Sequence, residues 1–179
     1  MRKAGPMTSE SVRRLIITRH AKAAWPEGVP DLERPLAERG RRDAPRAGRF
    51  LAESALVPDR VICSPAARTR ETFGLISSAW DSVPPVDYDE GVYAAGLSAL
   101  LAVVRGAPPA SRVLMVVGHN PGMQGLTLAL AGEGDPAGLA RVREKYPTCA
   151  IAVLEVSGTW ASVGLGSAAL ERFVVPREF

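Results

Sequence analysis

Three short apolar runs punctuate the chain, and each ends in the same kind of chemistry. Leu15-Ile16-Ile17-Thr18 runs into Arg19-His20. Val61-Ile62-Cys63 runs into Ser64-Pro65 and then Arg68. Val113-Leu114-Met115-Val116-Val117-Gly118 runs into His119-Asn120-Pro121-Gly122. Short apolar runs bounded by turn formers read as buried strands of a parallel sheet, here over 14–18, 60–63 and 112–117. Between them the apolar spacing lengthens to three and four. Ala47, Phe50, Leu51 and Ala55 mark one stripe, Phe73, Ile76 and Trp80 a second, and Met123, Leu126 and Leu130 a third. That period predicts helices over 36–55, over about 65–80 and after Pro121. Strands alternating with helices in this way predict an α/β domain.

Punctuation refines the pattern. Proline lacks an amide donor and clashes with the preceding turn, so Pro45 does not belong deep inside a helix. Asp43 is therefore expected to cap a helix with Pro45 in its first turn, or the helix kinks there. Ser64-Pro65 and Asn120-Pro121 each read as a cap followed by proline in the first helical position. A short extended piece is expected at 86–88 and a short helix over 97–104. Residues 132–148 read as loop, and 150–156 with 160–165 as a hairpin around Ser157-Gly158. Residues 170–179 read as irregular, and 1–13 as a tail ahead of a single domain over 14–179. The stretch 21–35, with its three prolines and Trp25, reads as a loop over a pocket mouth, with Lys22, Asp31 and Arg34 as candidate rim residues.

Composition narrows the setting. A chain of 179 residues, 46% hydrophobic and 23% charged, has the material for one globular core. A net charge of +3 mildly favours anionic partners. Two cysteines make no disulfide framework and fit a reducing compartment. No apolar segment follows Arg2 and Lys3 as in a signal peptide, and no apolar run is long enough to span a bilayer, so a cytoplasmic protein without a membrane partner is expected. Arg39, Arg41, Arg42, Arg46 and Arg49 alternate with Glu38, Asp43 and Glu53 and have no interleaved aromatics. They read as a solvated helix face rather than a nucleic-acid surface.

The chemistry sits at the strand ends. Ligand sites in open α/β sheets form where strand carboxyl ends meet the following loops and helix N-termini. Both histidines of the chain lie at such ends, and Arg68 lies at a helix start. Neutral imidazole is a nucleophile that can carry a phosphoryl group, and phosphoryl transfer is mostly positioning plus charge stabilisation. His20 is thus the candidate nucleophile, with Arg19, Arg68 and His119 around the phosphoryl oxygens. Cys63 is a poor rival. Four residues separate it from Arg68, one short of a cysteine-phosphatase loop, and it ends an apolar strand. The chain has no Cys-x-x-Cys, no His-x-x-x-His, no nucleotide-binding Gly-x-x-x-x-Gly-Lys and no Gly-x-Ser-x-Gly elbow, so neither metal nor cofactor is implied.

These motifs resemble those of the histidine phosphatase superfamily, the phosphoglycerate mutase-like proteins. Thr18-Arg19-His20-Ala21 is similar to the Arg-His-Gly signature. Ser64-Pro65-Ala66-Ala67-Arg68-Thr69-Arg70-Glu71-Thr72 is similar to the second arginine motif, and Gly118-His119-Asn120-Pro121-Gly122 to the second histidine motif. Arg34-Pro35-Leu36 with Gly40, and Tyr146-Pro147-Thr148, resemble the small SixA branch of phosphohistidine phosphatases. The resemblance covers about 14–176. It implies a three-layer α/β/α sandwich with a mixed, mainly parallel sheet, a phosphate acceptor at His20, and Arg19, Arg68, His119 and Asn120 as phosphate ligands. Ala21 departs from the signature glycine, and Cys149 stands where small-branch members often have glycine. Glu90 falls where other branches place a proton donor, with Asp87 and Asp89 beside it as loop acids. The implied substrate is phosphohistidine on a protein. The alternatives are a small phosphorylated metabolite, mutase-type transfer, or a non-catalytic phosphate-binding module. The short connections between elements argue against a mutase, and the presence of all four pocket residues argues against loss of catalysis.

Overall fold

A computed structural model describes residues 12–178, so most of the expected tail lies outside the described residues. The first strand, β1 (Arg13–Arg19), is the spine of the sheet. It pairs in parallel with β4 (Val113–Gly118), which pairs in parallel with β2 (Arg60–Cys63), which pairs in parallel with the edge strand β3 (Val86–Tyr88). On the other side β1 pairs with β6 (Ile151–Val156), the one antiparallel strand. Then follow β7 (Ala168–Val174) and β5 (Ala131–Gly134), giving the order β3-β2-β4-β1-β6-β7-β5.

Helices cover both faces. On one lie α1 (Glu38–Glu53) and α2 (Ala67–Ser77), and on the other α3 (Leu97–Arg105), α4 (Gly122–Leu130) and α5 (Pro136–Glu144). The strand period of two explains the split. Ile16, Val61 and Met115 pack with Leu51, Phe73 and Ile76 from α1 and α2. Leu15, Ile17, Leu114 and Val116 pack with Leu100, Met123 and Leu126 on the opposite side. All are fully buried or nearly so, and each such side chain contributes roughly 2 kcal/mol through water exclusion. The result is the expected α/β three-layer sandwich.

Several local expectations are corrected. α1 begins at Glu38 after Ala37, so Asp43 is not a cap and Pro45 lies inside the helix. Gly40, Ala44, Ala47, Gly48 and Leu51 form one buried stripe that continues on both sides of the half-buried Pro45, and this tertiary packing outweighs the lost hydrogen bond. Gly48 lets α2 come close, because a Cβ there would sit 2.1 Å from the Ile76 carbonyl. α2 begins two residues later than expected, so Ser64 is not its cap, and it ends at Ser77 rather than Trp80. Residue 121, not Asn120, occupies the cap position of α4. The stretch 132–148 contains most of β5 and all of α5. The hairpin around Ser157-Gly158 is not formed: β6 pairs antiparallel with β7 rather than with 160–165, and 160–162 is a 3-10 turn within the connection. The expected irregular stretch 170–179 instead holds the later part of β7 and a 3-10 turn at Pro176–Glu178. The arginines 39, 41, 42 and 49 are on the exposed face of α1. Among the described residues no helix is long and apolar enough to cross a membrane.

Candidate active site

Strand register brings the site together. Arg19 is level with Gly118, and Cys63 with Val117, so the chain leaves β1, β2 and β4 at one height. Two further backbone bonds hold that level, His20 N–H to the Gly118 carbonyl at 2.9 Å and Ser64 N–H to the Val117 carbonyl at 3.0 Å. A cavity of about 370 Å³ opens there, lined by Arg19, His20, Arg68, His119 and Asn120, together with Lys22, Ala23, Trp25, Arg34 and Thr148. The structure therefore brings five of the six site residues expected from the sequence to one cavity. Glu90 is the exception. It is exposed at the start of a 3-10 turn and is not among the residues lining the cavity.

The two imidazoles stand 5.3 Å apart, centroid to centroid, tilted by 54°. His20 Nδ1 lies 2.7 Å from the Ala21 carbonyl. A carbonyl only accepts, so Nδ1 donates and the lone pair is left on Nε2. Ala21 is itself fixed, since its N–H donates to Thr72 Oγ1 at 3.0 Å. Burial pushes His20 down to about 4; the Ala21 carbonyl works against that, and the Arg68 and Arg19 charges reinforce it. Burial, with Arg68 next, pushes His119 down to about 3. Both rings are neutral at physiological pH, the form in which imidazole is nucleophilic.

Cations surround them. Arg19 donates through Nη1 to the Tyr146 carbonyl at 2.7 Å, while its buried Nε has no partner among the described residues. Arg68, in the first turn of α2 and only 6% exposed, donates to the Asp31 carbonyl at 2.6 Å and to Asp31 Oδ2 at 3.0 Å. Guanidinium carries five N–H donors, so the remaining ones stay available to an anion. Asp31 also receives Tyr93 Oη at 2.7 Å and Arg34 Nη1 at 2.9 Å. The Tyr93 hydroxyl, followed by the two arginines, holds its carboxyl far below the usual range. Arg34 is stacked on Trp25, 3.1 Å from the ring centroid, and donates to the Ala24 carbonyl. The 21–35 loop is thereby pinned as one wall, with a 3-10 turn at 31–33.

Sequence reasoning overlooked three supporting groups. Ser64 bonds His119, Tyr93 packs edge-on against that ring at 5.5 Å, and Tyr146 Oη reaches the Ile17 carbonyl. Ser64 and Tyr146 lay inside motifs already noticed, without these roles; Tyr93 gave no signal beyond its closeness to Glu90. Cys149 takes a left-handed φ of 65° and donates its N–H to the Arg19 and His20 carbonyls. Among the described residues no three His, Cys, Asp or Glu side chains gather where a metal ion would sit.

Residues 15–93 match the model of the histidine phosphatase superfamily (branch 1). The Mycobacterium tuberculosis protein "Uncharacterized protein Rv1276c" is 42% identical over 161 residues, covering 89% of this chain and 99% of that one. The structure of the "putative phosphohistidine phosphatase SixA" from Nakamurella multipartitia superposes with a TM-score of 0.79 at 30% identity, over 91% of this chain and 95% of the other. The Agrobacterium tumefaciens protein of the same description gives 0.77 at 29% identity, over 90% and 97%.

Proposed function

This chain belongs to the histidine phosphatase superfamily, and from that premise we propose that it hydrolyses phosphohistidine on a protein, without a metal, through a phosphoryl group carried on His20. Phosphatase activity follows from the family, and the substrate is argued from the leaving group. Attack by the His20 Nε2 lone pair on phosphorus forms one P–N bond as the substrate's P–N bond breaks. Arg19, Arg68 and His119 face the phosphoryl oxygens, while Asn120 lines the wall with its Nδ2 donating to Gln124 Oε1 and to the Tyr146 carbonyl. Water then attacks phosphorus, inorganic phosphate leaves, and His20 returns to its neutral form.

One observation carries the substrate assignment. Among the described residues lining the cavity, none bears a carboxyl group, and the carboxylate at its edge, Asp31, is held ionised by Tyr93, Arg34 and Arg68. An alkoxide needs an acid to depart, whereas an imidazole that has taken a proton from solvent leaves as a neutral ring. Exposed Glu90 is outside that arrangement, so its assignment as proton donor is set aside. The test compares kcat/KM for a phosphohistidine-bearing protein, phosphoramidate, an aryl phosphate and a sugar phosphate. The expected order is P–N substrates first, aryl phosphate next and alkyl phosphate last. A sugar phosphate ranking first would replace this reading with that of a small-metabolite phosphatase.

A further inference from the structure

Among the described residues, the Ser64 hydroxyl is the group hydrogen-bonded to the His119 ring. Ser64 is fully buried at the end of β2. Its Oγ lies 2.7 Å from His119 Nε2 and accepts the Ala66 N–H at 3.4 Å. A proton must lie between Oγ and Nε2 at that distance. If Nε2 supplied it, the Ser64 hydroxyl would hold two incoming donors, and its own proton would have no acceptor among the described residues. Burying a hydroxyl without a partner costs about 1–3 kcal/mol. The arrangement in which Oγ–H donates to Nε2 leaves nothing unpaired on that side, and moves the ring proton to Nδ1. His119 Nδ1 is buried and has no partner among the described residues.

We propose that Ser64 is a positioning residue that fixes His119 as an Nδ1–H donor toward the phosphoryl group. The two histidines then share one tautomer and present opposite edges, His20 its Nε2 lone pair and His119 its Nδ1 proton. This rests on the phosphatase reading for its consequence, but the tautomer is measurable without turnover.

The experiment is ¹⁵N NMR of the imidazoles in the full chain at neutral pH. The chain has two histidines, so a His20→Gln variant assigns the spectrum. Both rings are expected as Nδ1–H, the less populated tautomer of free histidine. In Ser64→Ala the His119 signals move to a mixture or to Nε2–H, while those of His20 stay. Inorganic phosphate shifts the His119 Nδ1 proton in the parent chain and much less in the variant. The variant's kcat/KM on phosphoramidate falls about 10- to 100-fold, the scale of one misplaced donor. A parent spectrum with His119 as Nε2–H overturns the proposal whatever the activity is. So does a Ser64→Ala spectrum that leaves His119 unchanged. Loss of turnover on every donor, with the tautomers as expected, would instead strike at the phosphatase reading.

Discussion

His20 and His119 end neighbouring parallel strands, lie 5.3 Å apart and are both neutral, yet they are held by opposite edges. His20 is tied through Nδ1 to a backbone carbonyl of its own loop, one residue on. His119 is tied through Nε2 to a side chain from another strand end, 55 residues away in sequence. The first tether is local and needs only the turn after β1. The second exists only when β2 and β4 are in register. Under the proposed roles, the difference teaches that the element around a ring, more than the ring itself, decides whether it attacks or donates.

Removing each ring breaks that comparison most directly. His20→Ala is expected to lower turnover of phosphoramidate by at least about 10⁴-fold, the scale of losing a covalent nucleophile. No phosphoryl label should then be trapped on the protein. His119→Ala is expected to lower kcat/KM by about 10²- to 10³-fold, the scale of one donor to a developing charge. Rapid quench should still trap label on His20 in that variant. Equal losses with no label in either would mean that the two rings do not divide the work.

How far this division is legible in the sequence follows from which contacts are local. The strand ends at Arg19-His20, Ser64 and His119 are readable, because apolar runs stop there and register in a parallel sheet aligns them. β5 is not, because Ala131–Gly134 has no apolar alternation and is strand only through pairing with β7, whereas α5 opens on a cap-plus-proline signal at Asp135-Pro136 that the loop reading passes over. Pro45 misleads for a related reason: the buried stripe of α1 is a tertiary property that outweighs a local rule. Within the site, the four charged and imidazole residues carry signatures. The Ser64 hydroxyl is readable as a cap and becomes a ring partner only once α2 is seen to start at Ala67.

A pH profile sharpens the comparison with a smaller effect. Both folded-state values are lowered from the ordinary 6.5, to about 4 for His20 and about 3 for His119. In the proposed mechanism the neutral form is the active one, so kcat/KM is expected to be flat from pH 5 to 8 with respect to these rings. Below about 4 it should fall about tenfold per pH unit as His20 of the free enzyme takes a proton. The stability linked to these rings has the same sign. It is fully present above about 6.5, where the unfolded rings are also neutral, and is lost as pH falls through the folded values. An acid limb centred near 6.5 would mean that His20 is hydrated rather than buried by its loop.

Cys63 tests the comparison with an effect near zero. It immediately precedes Ser64, so its backbone belongs to the same strand end that holds His119. Its side chain, however, packs on the α1 and α2 face, among Val61, Met115 and Phe73. Burial pushes the thiol up to about 12, and Sγ donates to the Ser64 carbonyl at 3.3 Å. A thiol so held is neither ionised nor aimed at the cavity. Cys63→Ala should change kcat/KM less than about twofold while costing about 1 kcal/mol of stability through the lost sulfur volume, read from urea unfolding. A large loss of activity at unchanged stability, with label no longer trapped on histidine, would transfer the nucleophile from the first strand end to the second and leave both imidazoles as supporting groups.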